Sequence, residues 1–403
     1  MSTRVCWSDL GHSWVRMANK KIKLAVVFGT RPEAIKLIPV IQNLSGNPQF
    51  QVVTIVTAQH REMLDQVLKT FRIRPDYDLD IMKSDQTLAD IVSQCVAGLD
   101  RLFKNIKPDG VLVQGDTATT FASSLAAYYN RIPVGHVEAG LRSGDRWQPF
   151  PEEMNRKLTG ALADWHFAPT PLALENLLAE GVGSKAIFVT GNTVIDAFQL
   201  ALQARRKGFS IPGNLASKRL ILVTTHRREN LGAPMKSICR ALCEIVTRFP
   251  DVGVVLPVHL NPGVRLVVYP LLSGLDRVWL TDPLDYLDTA RMIQRSTLVI
   301  TDSGGIQEEA PSVGKPVLVL RNKTERPEGI TAGTARLVGT SQPRIVQETS
   351  RLLSSADHYQ AMAKAVNPYG DGKAAVRIRE CLLYLFGRRK RRPRDFVAGA
   401  NTE

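Results

Sequence analysis

Along the chain, short runs of aliphatic and β-branched residues alternate with longer stretches in which apolar positions return every three or four residues. In the first half the runs are Ile22–Phe28, Val52–Val56, Val111–Gln114, Val134–Val137 and Ile187–Val189. In the second half they are Arg219–Thr224, Gly253–Val258, Arg277–Leu280, Leu298–Thr301, Val317–Leu320 and Arg336–Val338. Most are continuously apolar over strand length, the pattern of strands covered on both faces of a parallel sheet. Such strands alternating with helical segments predict an α/β protein of two doubly wound units. The junction is expected between Gly191 and Ser217, where "RRKGFSIPGNLASK" reads as a solvated connection. A last helical pattern, Gly372 to Phe386, follows the breaker-rich "NPYGDG" and is expected to pack back on the first lobe. The predicted organisation is a disordered leader at 1–20, a first lobe at 21–190, a second lobe at 191–370, a terminal helix at 371–387 and a basic tail at 388–403.

A length of 403 residues with 44% hydrophobic content agrees with two globular domains. No stretch approaches the ~20 uninterrupted apolar residues of a membrane helix, so no membrane span is expected. The N-terminus lacks an apolar segment of signal-peptide length. Cys6, Cys95, Cys239, Cys243 and Cys381 form no CxxC and no zinc-spaced set with histidine, which points to reduced thiols and a cytoplasmic protein. Cys239 and Cys243 share a helix face and read as core packing, so no metal is expected. The formal charge is +14, and six of the basic residues lie in "GRRKRRPRD", Gly387 to Asp395. Without interleaved aromatics or a nucleic-acid module, this run reads as a solvated tail and no nucleic-acid partner is expected. The remaining positive excess suits an anionic small molecule.

Open α/β sheets bind ligands beyond the carboxyl ends of their strands, so the residues just after each run carry the candidate chemistry. After Ile22–Phe28, "GTRPEAIKLIPV" offers Arg31 and Lys36 at a helix start, and is not the GxGxxG of a dinucleotide site, so no cofactor is expected. After Val111–Gln114, "GDTATT" places Asp116 as a cap or first residue of the next helix. "EAGLRSGD" then brings Glu138, and "PFPEEMNR" brings Glu152 at a helix start. Three carboxylates converging from one lobe would make acid–base partners. In the second half, "THRREN" supplies His226 and "HLNP" supplies His259, both at strand ends. "TDSGGIQEEAPSVGKP" stops a strand at Ser303, Gly304 and Gly305 and opens a helix whose first N–H groups favour a phosphate. Glu309, in the first turns, would repel a phosphate and fits better as an acceptor for hydroxyls such as a ribose diol. "RNKTERPEG" adds Arg321, Lys323 and Arg326. Carboxylates on one wall and a phosphate cradle on the other suit a nucleotide-sugar.

The chain resembles the bacterial non-hydrolysing UDP-N-acetylglucosamine 2-epimerases. The resemblance rests on "FGTRPEAIKLIPV", "TAQHREMLDQVL", "GDT", "GHVEAGLRSGD", "PEEMNR", "TGNTVIDA", "THRREN", "TDSGGIQEEAPSVGKPVLVLR" and "TERPEG", in that order from about Lys21 to about Phe386. It implies two Rossmann-like lobes of the glycosyltransferase-B type with the active site in the interlobe cleft. It assigns Asp116, Glu138, Glu152 and His226 to catalysis. It assigns Arg31, Lys36, Ser303, Gly304, Gly305, Glu309 and Arg326 to the substrate. The implied partners are UDP-N-acetylglucosamine and UDP-N-acetylmannosamine, with a homodimeric assembly. Gln59 and His60 match part of a second, allosteric UDP-N-acetylglucosamine surface, whereas Glu62 and Asp85 depart from it. Thr289 stands after "DPLDYLD" where many members carry an aromatic residue that stacks on uracil. The alternatives on the same fold are a glycosyltransferase and an epimerase of a modified UDP-sugar such as a diacetamido uronic acid. A non-catalytic nucleotide-sugar sensor is the alternative outside enzymology.

Overall fold

The computed structural model describes residues 20–58, 61–83, 85–204 and 210–400, so nearly all of the expected leader lies outside it. The first lobe holds β1 Ile22–Phe28, β2 Phe50–Val56, β3 Tyr77–Asp78, β4 Gly110–Gln114, β5 Val134–Val137, β6 Trp165–Ala168 and β7 Ile187–Val189. They form one parallel sheet in the order β3-β2-β1-β4-β5-β6-β7. The second lobe holds β8 Arg219–Thr224, β9 Val252–Pro257, β10 Val278–Thr281, β11 Leu298–Thr301, β12 Val317–Val319 and β13 Ala335–Leu337. Their order is β10-β9-β8-β11-β12-β13, again parallel. Strand order reverses between β1 and β4 in one sheet and between β8 and β11 in the other. Those switch points open crevices at the strands' carboxyl ends.

Two strands have no counterpart in the sequence reading. β3 is two exposed residues, too short to leave an apolar run. β6 reads "WHFA", and a histidine inside four residues hides the strand pattern. The other strands differ from the expected ranges by at most two residues at either end.

The helix Arg31–Ser45 packs its Leu37, Ile38 and Leu44 against β1 and β2. The terminal helix Ala374–Leu385 adds Ile378, Cys381 and Leu382 to the same core. Asp196 ties down its start by accepting from Ala374 N at 3.2 Å and Ala375 N at 2.9 Å.

The expectation of a solvated basic tail is overturned. The Arg392 guanidinium lies 4.2 Å from the Phe188 ring centroid and donates to the carbonyls of Lys185 and Ile187. Val189 N donates to Asp395 Oδ1 at 2.9 Å, and Phe396 N donates to Val189 O at 2.7 Å. Phe396 is buried, with Arg377 stacked over its ring. The tail therefore covers β7, the edge strand, and supplies the backbone partners that an edge would otherwise leave open. Charge density dominated the sequence reading; the anchors are Asp395 and Phe396, at its end.

Candidate active site

Glu138 is the first residue after β5. Its backbone sits at φ 64°, a region few non-glycine residues adopt. Its carboxylate is buried and receives several donors. Lys36 Nζ reaches Oε1 at 2.6 Å and Oε2 at 2.7 Å, Asn192 Nδ2 reaches Oε1 at 2.8 Å, and Gln114 Nε2 donates to Oε2. Burial alone would raise its pKa; the Lys36 ammonium, Arg326 and these donors outweigh burial and hold it below the usual carboxylate range. Lys36 is placed by the helix Arg31–Ser45. Glu33 fixes that helix start, accepting from Gly29 N at 3.0 Å and Thr30 N at 2.7 Å.

Asp116 does not cap the following helix as expected. Thr117 does, accepting from Thr120 N at 3.1 Å. The Asp116 carboxylate turns instead to Arg156, with Oδ2 2.5 Å from Nη2. Asn155 Nδ2 holds the Asp116 carbonyl at 2.9 Å. Both partners lie on the helix Glu152–Leu162, so Asp116 is tied to the helix that Glu152 begins. Glu152 Oε2 is buried without a hydrogen-bond partner among the described residues. Arg142 and Asp145, from the same loop as Glu138, do not join this set. Arg142 forks onto Glu180 at 2.9 and 2.6 Å, and Asp145 accepts from Trp147 N.

On the facing lobe, Asp302 follows β11 and organises the loop after β8. It accepts from His226 N, Arg227 N, Thr225 Oγ1 and Asn230 Nδ2, and its Oδ1 lies 3.0 Å from His226 Nδ1. Burial works against its charge, but His226 and these donors win and hold its pKa at about 2. With Nδ1 committed to Asp302, Nε2 is the ring nitrogen left for a ligand. His259 stacks near His226, with ring centroids 6.4 Å apart.

Ser303 stands at the N-cap position of the helix Gly304–Glu309 without a side-chain cap bond. Its own N–H is taken by Thr301 Oγ1 at 2.9 Å, so the free donors begin at Gly304. A Cβ at Gly304 would stand 2.9 Å from the Arg326 guanidinium, so only glycine lets Arg326 lie across this turn. Arg326 pairs with Glu308 at 2.7 Å and Glu325 at 3.1 Å. Burial opposes its charge, yet these carboxylates hold it protonated. Glu309 accepts from Tyr286 OH at 3.1 Å, and burial pushes its pKa up to about 7.

Between the lobes lies a cavity of about 480 Å³. Arg31, Lys36, His226, His259, Ser303, Gly305, Glu309 and Arg326 line it, so seven of the eleven catalytic and substrate candidates from the sequence meet here. Gly304 lies beneath Arg326, Glu138 sits behind Lys36, and Asp116 and Glu152 lie further along the first lobe. Thr289 is on the wall with Leu284 and Pro257, its Oγ1 bonded to Asp285 O at 2.7 Å. Gln59 and His60 lie outside the described residues. Gln114, Asn192, Asp302 and Glu308 went unassigned in the sequence reading. Asn192 lies in "TGNTVIDA" and Glu308 in "TDSGGIQEEAPSVGKP", yet nothing in their spacing says that their side chains turn toward Glu138.

A lysine-held carboxylate behind one wall of a two-lobed cleft, with a histidine–aspartate pair and a glycine turn on the other, fits an enzyme of nucleotide-sugars. Residues 42–383 match the family model for UDP-N-acetylglucosamine 2-epimerase. A Bacillus subtilis UDP-N-acetylglucosamine 2-epimerase is 54% identical over 380 residues, 94% of this chain and 99% of that protein. The crystal structure of a Listeria monocytogenes protein described as a UDP-N-acetylglucosamine 2-epimerase superposes with TM-score 0.88 at 50% identity, covering 94% of this chain and 100% of that one. The Neisseria meningitidis UDP-GlcNAc 2-epimerase, solved with UDP-GlcNAc bound, gives TM-score 0.82 at 47% identity, covering 90% and 100%. The chain belongs to the UDP-N-acetylglucosamine 2-epimerase family, in the non-hydrolysing branch, and has the glycosyltransferase-B arrangement of lobes.

Proposed function

We propose that the protein interconverts UDP-N-acetylglucosamine and UDP-N-acetylmannosamine by elimination and re-addition. The observation that carries this reading is Glu138, buried and kept ionised by Lys36, which shares the interlobe cavity with His226 and the Ser303–Gly305 turn. The C2 proton of the sugar has no neighbouring carbonyl and is not acidic enough for simple removal. Breaking the C1–O bond solves this. UDP leaves with the bonding electron pair, a base takes the C2 proton, and 2-acetamidoglucal remains. Return of a proton to the other face of C2, with addition of the UDP oxygen to C1, gives the epimer.

The chemistry has three requirements. The leaving diphosphate needs positive charge and N–H dipoles, which His226, Arg31, Arg326 and the glycine turn supply. Two proton carriers must address opposite faces of C2, and Asp116, Glu138 and Glu152 fill those roles. The lobes must exclude water while the intermediates exist. Uridine is read at the wall of Pro257, Leu284 and Thr289, with its ribose hydroxyls on Glu309. A cytoplasmic location, from the scattered and unpaired cysteines, completes the reading, with a homodimer and use of the product in surface polysaccharide synthesis carried by the resemblance.

The test is chromatography of UDP-sugars after incubation with either epimer. The same mixture of both UDP-sugars should be reached from both sides. Accumulation of free N-acetylmannosamine with UDP would place the protein among hydrolysing enzymes, and an unchanged substrate would refute the assignment.

A further inference from the structure

Asn192 follows β7 where the chain leaves the first sheet, and it is 2% exposed. Its Nδ2 donates to Glu138 Oε1 at 2.8 Å and to Glu308 Oε2 at 2.5 Å. A primary amide carries two hydrogens on that nitrogen, so both bonds form together. The two acceptors come from different lobes. Glu138 directly follows β5 of the first, whereas Glu308 lies in the helix Gly304–Glu309 of the second, beside Glu309. The other oxygen of Glu308 accepts from Arg326 Nε at 2.7 Å, and Arg326 lines the interlobe cavity. Burial raises the Glu308 pKa, and the nearby Glu138 charge adds to that rise. Without the amide between them, two buried carboxylates would face each other.

We propose that Asn192 and Glu308 are positioning residues that lock Glu138 to the nucleotide-holding segment of the second lobe. Glu138 then keeps its working orientation only while the lobes hold this register. The inference rests on the reading of Glu138 as a proton-handling carboxylate at C2.

Asn192 also caps the helix Thr193–Gln203, its Oδ1 accepting from Val194 N at 3.2 Å. That second role supplies the control. Asp caps a helix as well as Asn does. An ionised Asp, however, donates nothing and brings a third negative charge. Asn192→Asp should therefore keep the helix cap while kcat falls about 100-fold, one hydrogen bond to a charged group being worth roughly tenfold or more. KM for UDP-N-acetylglucosamine should change less than about threefold, since the lock acts on the reacting carbon. The acid limb of the kcat profile should move to higher pH, because Glu138 loses a donor to its ionised form and gains a like charge. Adding Glu308→Gln returns a donor and removes one charge, and should restore kcat about tenfold.

Asn192→Ser, a capping residue with one donor, should fall between the wild type and Asn192→Asp in kcat. That ranking holds whatever the melting temperatures. A capping role alone predicts that Asn192→Asp matches the wild type in kcat and pH profile and that Glu308→Gln rescues nothing; either result overturns the lock. If the wild type itself leaves UDP-N-acetylglucosamine unchanged, the functional reading falls and the lock with it. An active wild type with indifferent variants removes the lock alone.

Discussion

Glu309 offers a quantitative test of how the nucleotide is held. It lines the cavity, is almost fully buried and accepts a hydrogen bond from Tyr286 OH at 3.1 Å. Burial raises its pKa to about 7, with the neighbouring Glu308 adding to the rise and Tyr286 opposing it. Ribose hydroxyls donate best to an ionised carboxylate, so a ligand that uses Glu309 this way must displace its proton. The sign follows: binding lowers the pKa, releases a proton, and strengthens as pH rises. With a free-protein pKa of about 7, the ionised fraction climbs from about a tenth at pH 6 to about nine-tenths at pH 8. Apparent affinity should improve about tenfold over that range, or about 1.4 kcal/mol. The assay is calorimetric titration with UDP in buffers of different ionisation enthalpy, for the wild type and Glu309→Gln. UDP's own phosphate ionisation enters both titrations and cancels in their ratio. At pH 7 the wild type should release about half a proton more than the variant. A pH-independent ratio would refute the ribose assignment, and a ratio moving the other way would mean that a protonated Glu309 meets the ligand.

The remaining predictions concern stability. Glu309 has a folded pKa above its ordinary value, so the stability it contributes below about pH 4.5 is lost as pH rises through about 7. The ligand-free wild type should therefore lose melting temperature relative to Glu309→Gln across that window. Asp302 has the opposite sign: its folded pKa of about 2 gives stability that is present above about pH 4 and lost as pH falls through 2. Chemical unfolding at pH 2 to 6 should show a loss on the order of 2 kcal/mol that Asp302→Asn lacks, and the variant should also lose turnover with its His226 tether. Lys36→Met leaves the Glu138 charge buried without its cation and should cost about 3–5 kcal/mol, much of it recovered by adding Glu138→Gln; equal stability of single and double variants would contradict the pairing. Deleting residues 388–403 uncovers β7 and removes Phe396 from its pocket. A lower melting temperature with turnover retained is expected, and an unchanged melting temperature would show that the tail's contacts do not matter.

The parallel sheets were legible because their strands are buried on both faces and leave continuous apolar runs such as Leu298–Thr301. The glycine turn, Lys36, His226 and Glu309 were legible because strand ends in such sheets carry chemistry. What escaped was long-range. Asp116 looked like a cap until Arg156, forty residues on, claimed its carboxylate and left capping to Thr117. Asn192 contacts Glu138 and Glu308, 54 and 116 residues away, and no local pattern encodes either contact. The tail misled for a related reason, since six charges within seven residues outweigh one Phe396 until its pocket beside Val189 is seen.

The central claim is that a proton leaves and returns to C2 inside this cleft, and proton NMR of UDP-N-acetylglucosamine with the protein in D2O tests it directly. The account predicts UDP-N-acetylmannosamine, with deuterium appearing at C2 of both epimers. Epimer formation with hydrogen retained at C2 throughout would contradict it, because a second carrier on the opposite face, in exchange with solvent, would deliver deuterium.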